Sequence, residues 1–153
     1  MKIKPYIFSV VYGFALCLVI VGASPSAANA QAASGEAGPI RSSAAYSEIL
    51  LRKTELLSDL EAFSSDYTEA NPKMLDLRAE MASLDKMLER VFGVKPSDTG
   101  KLTLALGKLI VRKAAVDADL ARLARSYSKE HPEIKRAIRK AEIYDSAIKE
   151  VLK

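Results

Sequence analysis

A periodic seam that returns after sixty residues constrains this chain more than any single motif. Counted forward in alternating steps of three and four, Tyr46, Ile49, Lys53, Leu56, Leu60, Phe63 and Tyr67 give six apolar or aromatic residues of seven. Met74, Leu77, Met81, Leu84, Leu88 and Val91 continue the rule after a proline. Steps of three and four place residues along one stripe of an α-helix, the seam of helices that pack side by side. Adding sixty to each number gives a second pair of seams: Leu106, Leu109, Lys113, Val116, Leu120, Leu123 and Tyr127, then Ile134, Ala137, Ala141, Tyr144, Ile148 and Val151. The one polar defect recurs as Lys53 and Lys113, each after an arginine. Identity across the offset is 8 of 47 positions without a gap, which predicts an internally duplicated helix–turn–helix unit.

The frame Tyr-x-x-x-x-Pro marks the joint inside each unit, as "YTEANP" from Tyr67 to Pro72 and "YSKEHP" from Tyr127 to Pro132. Proline lacks an N–H and is favoured at the first helical position, while the residue before it is driven to the extended angles of an N-cap. Asn71 suits that cap well and His131 less well. Tyr67 and Tyr127 are then expected to close the hairpin cores with their rings, their hydroxyls remaining in water. A connection this short predicts antiparallel neighbours. The predicted fold is therefore all-α: two tandem antiparallel hairpins, coiled-coil-like or combined as a four-helix bundle.

The expected organisation is a signal segment at 1–30, a flexible leader at 31–43, a first hairpin at 44–92, a linker at 93–101 and a second hairpin at 102–153. In the linker, Gly93 is expected to take the left-handed angle after the second helix, with Asp98 or Thr99 capping the third. Apolar residues beside the seams, among them Leu50, Leu57, Ile138 and Ile143, widen the stripes beyond what one hairpin buries. The hairpins should thus pack on each other or on other chains. Residues 41–92 carry 7 basic and 10 acidic side chains and residues 93–153 carry 14 and 8, so the halves differ in sign, −3 against +6. That opposition favours mutual packing.

The N-terminus has the three-part layout of a secretory signal peptide: Lys2 and Lys4, an uncharged run from Ile7 to Val21, and Ala28-Asn29-Ala30 with cleavage before Gln31. A retained membrane anchor is the alternative. Cys17, the only cysteine, lies in that apolar run, so the exported chain would hold no disulfide. The expected location is periplasmic.

Motifs for chemistry fail on spacing. "GKLT" lacks the glycine five residues before Gly100 and the hydroxyl after Lys101 that a phosphate loop requires. "SLDK" and "SYSK" match Ser-x-x-Lys, but the companion motifs Ser-Asp-Asn and Lys-Thr-Gly are missing. His131, the only histidine, has Glu130 and Glu133 as its sole near candidates for a shared metal. No catalytic, cofactor-binding or metal-binding residues are therefore predicted, and no cofactor. The basic stretch Lys135, Arg136, Arg139 and Lys140, opposite the seam, is the candidate contact surface. It could meet an anionic polymer or lipid surface, or face the acidic hairpin; export argues against nucleic acid. A protein partner or self-association is expected.

The pattern Tyr-x-x-x-[His/Asn]-Pro before a helix with apolar spacing resembles the periplasmic coiled-coil segments of bacterial polysaccharide chain-length determinants, the polysaccharide co-polymerase family. Tyr127, His131, Pro132 and Ile134 match it, and Tyr67, Asn71, Pro72 and Met74 match with asparagine for histidine. The likeness covers the hairpins alone. It implies a non-enzymatic envelope scaffold accessory to polysaccharide export. In bulk properties the chain is also similar to Skp-type periplasmic chaperones, which implies a holdase as the second expectation.

Overall fold

The computed structural model describes residues 38–153, so the signal segment, Cys17 and most of the leader lie outside the described residues. Four α-helices follow in order: α1 (Ala44–Ser64), α2 (Pro72–Phe92), α3 (Leu104–Ala124) and α4 (Pro132–Leu152), with a 3-10 helix at Pro96–Lys101 between α2 and α3. No strand occurs among the described residues. Each α-helix has 21 residues, and the bounds of α1 and α2 become those of α3 and α4 when sixty is added. The duplication therefore reaches the helix ends.

Local chemistry fixes those ends. Ser43 Oγ accepts from the Tyr46 N–H at 3.2 Å, and Thr103 Oγ1 from the Leu106 N–H at 3.3 Å. The latter corrects the expectation for Asp98 and Thr99, which lie inside the 3-10 helix. A second correction concerns Gly93, whose φ of −79° and ψ of −1° are right-handed. Its N–H still bonds the Glu89 carbonyl at 3.0 Å, so the chain leaves the helix only beyond it, toward Pro96. A third concerns the leader, whose last residues are ordered: the chain is helical at residues 38–41, and Ile40 is buried in the core.

Every seam residue within the helices is buried or half-buried. Burying side chains such as Ile49, Leu56, Leu84, Leu106, Ile110 and Ile148 stabilises the fold by roughly 1.5–3 kcal/mol each. The two hairpins share one core, joining Ile49 and Leu56 of α1, Leu84 and Val91 of α2, Leu106 and Ile110 of α3 and Ile148 of α4. The helix α3 packs against α1, α2 and α4, so it is central and buries more residues than any other. Where α3 meets α1, a Cβ built on Gly107 would lie 2.8 Å from Glu48 Cβ and 2.9 Å from Ala45 Cα. Nearby, the Ala45 N–H bonds the Leu102 carbonyl at 3.2 Å, tying the start of the first hairpin to the second.

The hairpins are not held together by their opposite net charges. One ion pair between them joins Asp76 to Arg125, and another joins Arg90 to Asp145 at 2.8 Å, with the signs reversed. The shared apolar core supplies the association, and the pairs fix register across it.

Candidate functional site

The two joints have the same backbone. Tyr67 and Tyr127 donate their N–H to the carbonyls of Phe63 and Leu123, each at 2.9 Å. Asn71 and His131 bond the carbonyls of Thr68 and Ser128 at 2.9 and 3.1 Å. Pro72 and Pro132 open α2 and α4. Asn71 Oδ1 accepts from the Lys73 N–H at 2.9 Å, and His131 Nδ1 does the same for the Glu133 N–H at 3.2 Å. Because Nδ1 accepts, the neutral ring carries its proton on Nε2. Histidine thus performs the capping expected of asparagine.

The tyrosines do not close the hairpin cores. Both are exposed and stack locally: Tyr67 tilts against Phe63 at 5.7 Å, and Tyr127 lies on the His131 ring at 4.1 Å and 24°. Tyr127 still lines a groove that Arg136 and Ala137 of α4 border. No group of three or more His, Cys, Asp or Glu side chains suited to a metal converges among the described residues.

The candidate contact residues Lys135, Arg136, Arg139 and Lys140 all lie exposed on α4. Arg136 approaches Glu133 at 3.4 Å. Lys135, Arg139 and Lys140 enter no ion pair among the described residues. Ile143 projects beside them and is 69% exposed. The surface combines unneutralised positive charge with one large apolar side chain.

Periodicity did not reveal a groove of about 480 Å³ between α3 and α4, near their joint. Val116, Leu123 and Ala137 form its apolar side, and Arg122, Arg136 and Lys140 supply positive charge. Asp119 bonds Arg122 at 2.8 Å and raises the guanidinium pKa further. The signal was present in the repeat: Leu123 and Ala137 correspond to Phe63 and Leu77. In the first hairpin the larger Phe63 ring stands at that position, with Lys73 Nζ 3.3 Å from its centroid.

A buried polar band was also missed. Arg52 Nε and Nη2 grip the two Glu80 oxygens at 2.7 and 3.0 Å, and that bond raises the arginine pKa. One turn along α2, Ser83 Oγ donates to Asp117 Oδ2 at 2.6 Å, and Lys113 Nζ bonds the same oxygen at 2.7 Å. Ser83 is therefore engaged in a bond between helices, and Lys86, its partner in the Ser-x-x-Lys motif, is exposed. No buried side-chain nitrogen or oxygen among the described residues lacks a partner. The duplicated lysines differ here. Lys53 pairs with Asp85 inside the first hairpin, whereas Lys113 turns to Asp117 of its own helix. Asp145, the equivalent of Asp85, is left to Lys149 and Arg90, which hold its carboxyl below the usual range.

No family model, curated protein or solved structure matches the chain. No helix among the described residues is long and apolar enough to cross a membrane.

Proposed function

We propose that this chain is an exported, non-enzymatic helical scaffold of the cell envelope that holds an anionic partner on the exposed face of α4. The observation that carries the reading is the set Lys135, Arg136, Arg139 and Lys140, all solvent-exposed and three of them without an ion pair among the described residues. A cluster of like charge beside an apolar side chain is unfavourable for an isolated domain and favourable for one that meets opposite charge. The Ala28-Asn29-Ala30 leader supports export, and the resemblance of both joints to the co-polymerase hairpins supports polysaccharide secretion as the setting. The holdase reading gains nothing from the packing, because the apolar seams face one another.

The test is charge reversal at all four positions. Protein from cells expressing the full chain should co-purify, after cross-linking, with components of envelope polysaccharide secretion. The reversed variant should lose them while keeping its helical circular dichroism. Equal recovery by both proteins would refute the assignment to α4, and recovery by neither would refute the setting.

A further inference from the structure

The sixty-residue offset maps several contacts between the two hairpins onto exposed surface. Shifted back by sixty, the α3 residues Ile110, Val111 and Asp117 become Leu50, Leu51 and Leu57 of α1. Ile110 is 1% exposed in the shared core, while these three leucines are 47%, 58% and 57% exposed. Shifted forward, Ser83 of α2 becomes Ile143, the most exposed large apolar side chain among the described residues. The Ser83–Asp117 hydrogen bond between hairpins thus corresponds, on the free flanks, to an isoleucine and a leucine. The close contact of Gly107 with Ala45 maps to Ser47 and Ala105, both exposed and both small enough for helices to approach.

We propose that α4 of one copy receives α1 of a second copy in the arrangement by which α2 receives α3 within the chain. Charge identifies the occupant. Where α2 has Asp76 and Glu80, α4 has Arg136 and Lys140. Where α3 offers Arg125 to Asp76, α1 has Ser65, flanked by Glu61 and Asp66. The α4 side has changed sign and the α1 side has lost its cation and gained acidic neighbours, so the attraction is kept, and Ile143 and Leu57 supply the apolar contact. The interface is heterologous: each copy that uses its α4 leaves its α1 free for another, giving an open superhelix or a ring. The inference rests on reading α4 as a contact face and names a second copy as its first occupant. Lys135 and Arg139 remain on the adjoining strip for the anionic partner.

Sedimentation velocity on protein purified from cells expressing the full chain tests this. The mean mass should rise with concentration beyond a dimer and fall with added salt. Leu57→Ser removes the α1 half and Ile143→Ser the α4 half. Each should weaken association by roughly tenfold to a hundredfold, the range for losing one large aliphatic contact. Both positions are exposed, so circular dichroism should show intact folding. Mixing the two variants should give a discrete heterodimer that grows no further, because each retains the half that the other lacks. A monomer at every concentration would overturn the proposal, as would variants that associate like the parent or mix without forming the heterodimer. The pull-down on the charge-reversed α4 is a separate readout: a monomer that still captures secretion components sinks the self-association alone, and an assembling protein that captures none sinks the functional reading alone.

Discussion

Gly107→Ala is the most informative single change, because helix propensity and packing oppose each other there. In the interior of α3 an alanine favours the helix over glycine by about 1 kcal/mol. The added methyl would sit 2.8 Å from Glu48 Cβ, 2.9 Å from Ala45 Cα and 3.0 Å from the Ala45 carbonyl oxygen. Carbon atoms reach their optimum at roughly 3.5–4.0 Å, so α1 would have to withdraw by about 0.7 Å or more. Two of the three contacts are backbone atoms, so no rotamer change relieves them. Their segment is also anchored by the bond from the Ala45 N–H to Leu102. Overpacking of this kind costs about 1–3 kcal/mol, which leaves a net loss of up to about 2 kcal/mol after the propensity gain. Urea unfolding monitored by circular dichroism would show a lower midpoint at unchanged slope, and exchange of the Ala45 amide would accelerate. The repeat supplies a control: Ser47→Ala, at the equivalent but exposed position, should shift stability by no more than about 0.5 kcal/mol. If Gly107→Ala instead stabilised the protein by the full propensity gain, the close approach of α1 and α3 would be refuted.

Three further outcomes follow from the polar contacts. Glu80→Ala leaves Arg52 with Glu55 as its remaining partner and should cost about 1.5–3 kcal/mol, the range for losing a hydrogen bond to a charged group rather than for stranding a buried charge; replacing both residues by leucine should cost less, measurable as a double-mutant cycle in urea. Asp145 is a carboxylate whose folded pKa lies below its ordinary 3.8, so its contribution is complete above that value and is lost as pH falls through the depressed folded value. Melting temperature should therefore drop less steeply in Asp145→Asn than in the parent below about pH 4, and identical acid limbs would refute the assignment. Asn71→Ala removes the acceptor of the Lys73 N–H and should cost about 1 kcal/mol, whereas Asn71→His should restore part of it, since His131 caps the equivalent helix.

The fold was legible because the seam is a constraint on residue class. Any apolar side chain at Leu56 or Val116 satisfies it, so alternating steps of three and four located all four helices even at 8 identities in 47 positions. The joints were legible for the same reason, since Pro72 and Pro132 act through the backbone. Errors arose where side chains choose among local partners. The cap of α3 fell to Thr103 because Pro96 starts a 3-10 helix that absorbs Asp98 and Thr99. The tyrosines lie exposed and stack on Phe63 and His131, local partners that periodicity does not choose between. Of the surface features, the basic stretch on α4 needed only helical phase. The Ser83–Asp117 bond needed knowledge of which helices meet across the hairpins, while the groove and the Arg52–Glu80 pair, within hairpins the joints had fixed, depended on side-chain size and partner choice, which periodicity does not carry.

The offset also explains why so few positions stayed identical. Within one chain the two units occupy different environments: α3 packs on both helices of the first hairpin as well as on α4, while the outer faces of α1 and α4 form the flanks. At the inner contact, Ser83 and Asp117 join in a hydrogen bond that fixes register across an apolar core. At the flanks the same two positions hold Ile143 and Leu57, which gain nothing from exposure to water. Relaxed constraint on a solvated surface favours polar residues, and Leu50, Leu51, Leu57 and Ile143 run against that drift together, at positions the repeat assigns to an interface. Had the flanks faced only solvent, serine and aspartate would have satisfied them as they satisfy the inner contact. Apolar side chains there make sense if an apolar surface covers them, and the chain carries one of matching register and opposite charge on its other flank.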